Sequence, residues 1–161
     1  MDEIQLSGDL SDRLKMAIGD AVTIFSKIDA KMLEMIWLLS EADLAKKKKL
    51  AREHSAGNMK SLEEVFRLIP GAETGEIWRT CEALRRERNL IAHGIWLIDQ
   101  FGNPQVTWPR RDLESDDYTV VEHFSFERFD HFLEIGHQLL KTFSDIKHDL
   151  EEILPRPGGR R

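Results

Sequence analysis

Apolar residues recur at steps of three and four over residues 9–41, and this spacing is typical of an amphipathic helix. Asp9 or Ser11 is the predicted N-cap. Gly19 lies inside the pattern, so the segment forms either one continuous helix or a short helix followed by a long one. The predicted core-facing stripe consists of Leu14, Ile18, Val22, Phe25, Ile28, Met32, Met35 or Ile36, and Leu39.

The same spacing predicts a second long helix near the end of the chain, over residues 126–154. Ser125 is a typical N-cap, although Arg128 occupies the position that an acidic residue takes in a capping box. Pro155 should end this helix, and residues 156–161 are predicted to form a flexible tail.

Two further helical regions are predicted between these. The region 40–71 is charged at first and more apolar later, which indicates a surface helix or a helical extension. Gly57 and Asn58 could interrupt it, an unbroken helix is the alternative, and Pro70–Gly71 ends it. The next helix begins after Thr74, and its stripe contains Ile77, Cys81, Leu84 and Ile91. Cys81 is the single cysteine and lies on this apolar stripe, so it is predicted to be a small core residue.

From Ile95 the pattern changes to short β-prone runs. Two of them flank the turn-forming residues 101–104, and residues 118–124 could supply a third strand. The predicted fold is mainly α. It is a four- to five-helix up-and-down bundle with a small β-hairpin or three-strand insertion at about 95–124, before the last helix. One domain is expected over residues 1–155.

The composition narrows the possible functions. The chain has 161 residues and a net charge of −6, which argues against a protein that coats nucleic acid but not against an enzyme that holds one or two phosphates. No apolar run is long enough to cross a bilayer, so no membrane contact is expected. The acidic N-terminus lacks the basic and then apolar layout of a secretion signal, so a cytoplasmic location is expected.

The stretch "RRERNLIAHG", residues 85–94, carries the main candidate chemistry. Arginine offers a rigid fork of donors to phosphate oxygens, histidine titrates near neutrality, and asparagine can orient a hydroxyl group. The residues do not resemble a metal cage, so in-line attack by a ribose 2′-hydroxyl, which needs no metal, fits them best. The alternative is an ordinary helix end, at which His93 simply complements the helix dipole.

The helical positions of these residues raise a geometric difficulty. Arg88 falls in the apolar stripe, whereas Asn89 and His93 lie one turn apart on the opposite side. Arg88 and His93 are separated by about 140 degrees around the helix. A shared site therefore requires a second copy of the chain, a distorted helix end near Gly94, or another element over the Arg88 side. A guanidinium in the stripe should also reach a carboxylate, a backbone carbonyl or a partner chain.

The segment "RNLIAH" resembles the hallmark of the HEPN superfamily: an arginine, a polar residue, three further positions and a histidine, within a small helical bundle. The resemblance implies that Arg88 contacts a scissile phosphate, that His93 acts as general acid or base, and that Asn89 assists. Arg85 and Arg86 beside the motif would bind RNA. No metal or cofactor is implied.

The resemblance also bears on partners. Many members of this superfamily are metal-independent ribonucleases that act as toxins or in defence, and they dimerise to build a composite active site. Others are non-catalytic and bind nucleotides or partner proteins. A homodimer, an RNA substrate, and an antitoxin or other protein partner are therefore expected. Some toxin members carry a tyrosine two residues after the histidine, where this chain has Ile95, so regulation through that tyrosine is not expected.

Other candidates are weaker. The histidines of the last part of the chain lack the spacing of metal ligands and are predicted to be surface or packing residues: His123, His131, His137 and His148. Lys46–Lys49 are predicted to form a solvated helix face. Trp96 and Trp108 bracket the predicted hairpin and could lie near the motif.

Overall fold

The computed structural model describes residues 10–39, 44–50, 52, 55–67, 74–109 and 119–153. These residues form five helices and one three-stranded sheet, which confirms the predicted mainly α fold with an insertion before the last helix. The elements in chain order are α1 Asp12–Leu39, α2 Leu44–Leu50, α3 Ser55–Phe66, α4 Gly75–His93, β1 Ile95–Ile98, β2 Pro104–Pro109, β3 Thr119–His123 and α5 Phe126–Ile153.

Helix α1 is the centre of the bundle and packs against α3, α4 and α5. Its first turn is capped by Ser11, whose Oγ accepts a hydrogen bond from the backbone N–H of Leu14 at 3.2 Å. Gly19 does not divide the helix, which is continuous over 28 residues. At Gly136 of α5 a Cβ atom would lie 3.1 Å from Ile24 Cγ1, so a residue without a side chain allows α1 and α5 to approach closely.

The described part of the region 40–71 contains two helices, α2 and α3, and Gly57–Asn58 is not the point at which they separate. Gly57 and Asn58 lie inside α3, and Asn58 is 6% exposed. The charged residues Lys46–Lys49 belong to α2 and are exposed except for the half-buried Lys47. Asp9, Pro70–Gly71, Pro155 and the tail 156–161 lie outside the described residues.

The sheet is antiparallel, with strand order β1-β2-β3. A turn between β1 and β2 is stabilised by Asp99, whose Oδ1 accepts hydrogen bonds from the backbone N–H groups of Phe101 and Asn103 at 2.9 and 2.8 Å. Gly102 adopts a φ of 84°, a conformation that favours glycine. These contacts confirm a turn between the two strands, although it spans Asp99–Asn103 and Pro104 of the predicted turn already belongs to β2.

Helix α5 begins as predicted, because Ser125 Oγ accepts a hydrogen bond from the Arg128 N–H at 3.2 Å. The Arg128 side chain pairs with Glu87 of α4 and with Glu122 of β3. A basic residue at the capping-box position therefore joins α4, β3 and α5.

Among the described helices, none combines the length and the apolar character needed to span a membrane.

Candidate functional site

Helix α4 is regular up to its last residue. The Gly94 N–H donates to the Leu90 carbonyl at 2.9 Å, which is the hydrogen bond of an undistorted α-helix. The helix end near Gly94 is therefore not distorted, which removes one of the arrangements that could have brought Arg88 and His93 together. Arg88 and His93 leave the helix backbone on different faces, as the sequence predicts.

Arg88 is half-buried and lies over the ring of Phe25 in α1, with its guanidinium carbon 5.6 Å from the ring centroid. Its Nη1 donates to Asn89 Oδ1 at 3.1 Å. Its Nε is buried and has no hydrogen-bond partner within the described part of the chain. Of the expected partners of this guanidinium, neither a carboxylate nor a backbone carbonyl is found among the described residues; a side-chain amide and an aromatic face surround it. The third, a partner chain, remains a prediction.

The neighbouring arginines have an acidic partner. Arg85 donates from Nε and Nη2 to the two oxygens of Glu82 at 2.9 and 2.8 Å, and Arg86 donates from Nε to Glu82 at 2.9 Å. These hydrogen bonds lower the pKa of Glu82 to about 2, and the bond from Arg85 has a larger effect than the bond from Arg86. A phosphate bound by Arg85 and Arg86 would have to compete with this carboxylate.

His93 is exposed at the C-terminal end of α4, and Asn89 is half-buried one turn before it. The motif therefore places a solvent-accessible imidazole beside an amide that already holds the Arg88 guanidinium. Such a set can transfer a proton and offer hydrogen-bond donors to an anion.

Gly94 directly follows the motif, and there is no room for a side chain at this position. A Cβ atom at Gly94 would lie 2.2 Å from Val106 Cγ2 of β2 and 2.6 Å from the Leu90 carbonyl oxygen. The absence of a side chain thus lets the strand β2 close over the end of α4. The sequence marks Gly94 only as the point where the helix pattern stops, so this contact with β2 could not be predicted from it.

Trp96 lies beside the motif, as the sequence suggested. Its Nε1 donates to the Ile91 carbonyl of α4 at 3.0 Å, and its ring contacts Phe124 and Phe129 with centroids 5.3 and 5.4 Å away. Trp96, a residue of β1, therefore packs against the core, and its indole binds the last turn of α4. The side chain of Trp108 lies outside the part that the structure describes.

The remaining candidates have no role in chemistry that the structure supports. Cys81 is buried, and burial, with a smaller effect from Asp29, raises the pKa of its thiol to about 12. The described residues contain no group of three or more His, Cys, Asp or Glu side chains that could hold a metal ion. The predicted surface histidines are all exposed: His123, His131, His137 and His148.

The chain matches no family model, no curated protein and no solved structure.

Proposed function

We propose that the chain is a cytoplasmic, metal-independent endoribonuclease of the HEPN type, with a toxin or defence role, and that it acts as a homodimer. The observation that best supports this is the arrangement at the end of α4. His93 is exposed, and Asn89 holds Arg88, an arginine that has no ion pair within the described residues. An arginine of this kind remains available to a phosphate, whereas Arg85, Arg86 and Arg128 are engaged with carboxylates.

The proposed reaction is in-line attack of a ribose 2′-hydroxyl on the adjacent phosphorus. A bond forms between the 2′-oxygen and phosphorus, and the bond between phosphorus and the 5′-oxygen breaks. His93 either accepts the proton of the 2′-hydroxyl while water protonates the leaving 5′-oxygen, or gives a proton to that oxygen while water accepts the proton of the 2′-hydroxyl. Arg88 stabilises the charge on the phosphate, and Asn89 orients Arg88. The products carry a 2′,3′-cyclic phosphate and a 5′-hydroxyl.

Arg88 and His93 are separated around a regular helix, and the element over the Arg88 side, α1, contributes the ring of Phe25 there. A partner for Arg88 with the chemistry of His93 is therefore the reason to propose a dimer. A two-fold axis beside α4 would bring the Arg88 of one copy next to the His93 of the other. Arg85 and Arg86 flank the motif on α4 and would contact the RNA strand once its phosphates displace Glu82.

Cleavage of RNA in the presence of EDTA tests this proposal. The wild-type protein should cut RNA without added metal and leave cyclic phosphate ends, and His93→Ala should abolish the cleavage. His137→Ala is the matched control because it removes an exposed histidine elsewhere, on α5. The proposal fails if the wild-type protein leaves the RNA intact, or if His93→Ala cuts the RNA as well as His137→Ala does.

A second candidate is a non-catalytic module that binds a nucleotide or a partner protein such as an antitoxin. The specific observation in its favour is the outer face of the sheet, where Ile95 and Val121 are 62% and 48% exposed on either side of Thr107. The net charge of −6 also suits a protein partner better than RNA. A folded protein that neither cuts nor binds RNA would favour this function.

A further inference from the structure

A groove runs between α4 and α5 on the side of α4 that faces away from Asn89 and His93. It has a volume of about 620 Å³, within the range of small-molecule sites. Its lining is formed by Glu76, Arg79, Thr80, Ala83, Leu84 and Glu87 of α4 and by Arg128, His131, Phe132 and Ile135 of α5. None of these residues belongs to the proposed ribonuclease site.

The groove is kept open by contacts between the two helices. Near one end, Arg128 Nε and Nη2 donate to the two oxygens of Glu87 at 2.8 and 2.5 Å. Toward the other end of the interface, the rings of Trp78 and Phe143 meet at a centroid distance of 6.4 Å. The short side chains of Thr80 and Ala83 lie between these contacts and leave the space unfilled. The groove is therefore a preformed feature of the packing.

Its inner surface is apolar. Leu84 and Phe132 are each 3% exposed, and the half-buried Ile135 continues the same surface. A flat or branched apolar body can lie along these side chains and bury its own apolar surface against them. From Glu76 to Glu87 the helix rises by about 16 Å, which limits the length of a ligand that fits between them.

The charges at the rim define the polar end of such a ligand. Arg128 is already engaged, because its Nη1 also donates to Glu122 at 3.3 Å. Arg79 is exposed, and within the described residues its one hydrogen bond runs from Nε to the Gly75 carbonyl at 3.3 Å. Its two terminal nitrogens can therefore bind one acidic group. Glu76 lies on the same turn and would repel a second negative charge.

We propose that this groove binds a small aromatic monoanion, with its apolar body on Leu84, Phe132 and Ile135 and its acidic group on Arg79. This site does not depend on the ribonuclease proposal, because it lies on another face of α4 and uses other residues. Nucleotides, which carry several negative charges, are excluded as ligands by Glu76 and by the pairing of Arg128.

Two related dyes test the site in the full chain. Anilinonaphthalene sulfonate has an aromatic body and one negative charge, and N-phenylnaphthylamine has the same body without the charge. Both should bind with a rise in fluorescence. Arg79→Gln should weaken the sulfonate by about fivefold and leave the neutral dye unchanged. An equal effect on both dyes, or none on the sulfonate, would overturn the role of Arg79.

Two further variants locate the dyes. Ala83→Trp fills the groove and should weaken both dyes by about tenfold or more, whereas Ala30→Trp, at an exposed alanine of α1, should change neither. Ala83 and Arg79 also border a smaller depression of about 370 Å³ toward α3. Ile135→Ser affects only the α4–α5 groove and should weaken both dyes. Thermal melts check that each variant is folded. The site is refuted if the folded wild type binds neither dye, or if Ile135→Ser or Ala83→Trp binds as well as Ala30→Trp.

Discussion

The Nη1 of Arg88 donates a hydrogen bond to Oδ1 of Asn89 at 3.1 Å. This bond links the guanidinium to the side of α4 that carries His93, although the guanidinium itself stays over the Phe25 ring of α1. In the proposed dimer, the His93 that works with this guanidinium would come from the second copy.

Arg88 should contribute little to stability. Its Nε is buried without a hydrogen bond within the described residues, and such a group costs about 1–3 kcal/mol. Arg88→Met keeps the aliphatic packing on Phe25 and removes the unmatched group. We expect the free energy of unfolding, measured with urea, to be unchanged or higher by up to about 1 kcal/mol. A loss of more than about 2 kcal/mol would show that Arg88 holds the fold together.

Arg128, unlike Arg88, should contribute to the stability of the fold. Arg128→Met leaves the half-buried carboxylates of Glu87 and Glu122 without their guanidinium and should lower the free energy of unfolding by about 2–3 kcal/mol. The control is Arg67→Met, because Arg67 is 70% exposed in its pair with Glu63 and such pairs contribute about 0–1 kcal/mol. Equal effects of the two substitutions in urea unfolding would contradict the role given to Arg128.

Gly94 should tolerate no side chain. Gly94→Ala places a methyl group 2.2 Å from Val106 Cγ2 and 2.6 Å from a backbone oxygen, so either β2 or the end of α4 must move. We expect a loss of about 2–3 kcal/mol. Gly19→Ala meets no atom within 4 Å inside α1 and should stabilise the protein by about 0.5–1 kcal/mol. Thermal unfolding of both variants checks this contrast, and a Gly94→Ala protein as stable as wild type would disprove it.

The hydrogen bonds from Arg85 and Arg86 should make part of the stability depend on pH. The folded-state pKa of Glu82 is lowered from 4.5 to about 2, so its contribution is present above pH 4.5 and is lost as the pH falls toward 2. Because the group is partly exposed, we expect this contribution to be about 0.5–1 kcal/mol. Glu82→Gln should remove it at neutral pH and flatten the acid limb of the stability curve. Identical curves for wild type and Glu82→Gln would contradict this.

Much of the fold could be predicted because it depends on local patterns. The helices α1 and α5, the Ser11 and Ser125 caps, the turn before β2 and the third strand all follow from neighbouring residues. The predicted stripe of α1 was less exact, because Ile18, Val22 and Leu39 are half-buried whereas Ala21 and Ile24 are buried. Asn58 was a misleading signal, because it is buried within α3 and does not end a helix. Tertiary packing outweighed its local preference for turns.

Parts of the site depend on long-range contacts and could not be predicted. Arg128 and Glu87 are 41 residues apart, so their pairing is invisible in any local pattern. The groove between α4 and α5 depends on which faces of two distant helices meet. The motif itself could be found, since Arg88, Asn89 and His93 lie within six residues, but the amide contact of Arg88 depends on side-chain conformation.

The most direct test of the composite site is to co-refold two variants, Arg88→Ala and His93→Ala, and to measure RNA cleavage in EDTA. Each variant alone should be inactive. If Arg88 of one copy works with His93 of the other, each mixed dimer regains one intact site, and activity should return to about a quarter of the wild-type value. Wild type mixed with the double variant is the control. If the site lies across the dimer, its mixed dimers are inactive and only the wild-type homodimers cut, which leaves about a quarter of the activity; if each site lay within one copy, about half would remain. If the mixture of single variants stays inactive while the folded wild type cuts RNA, the two residues do not meet across a dimer, and the composite site is wrong.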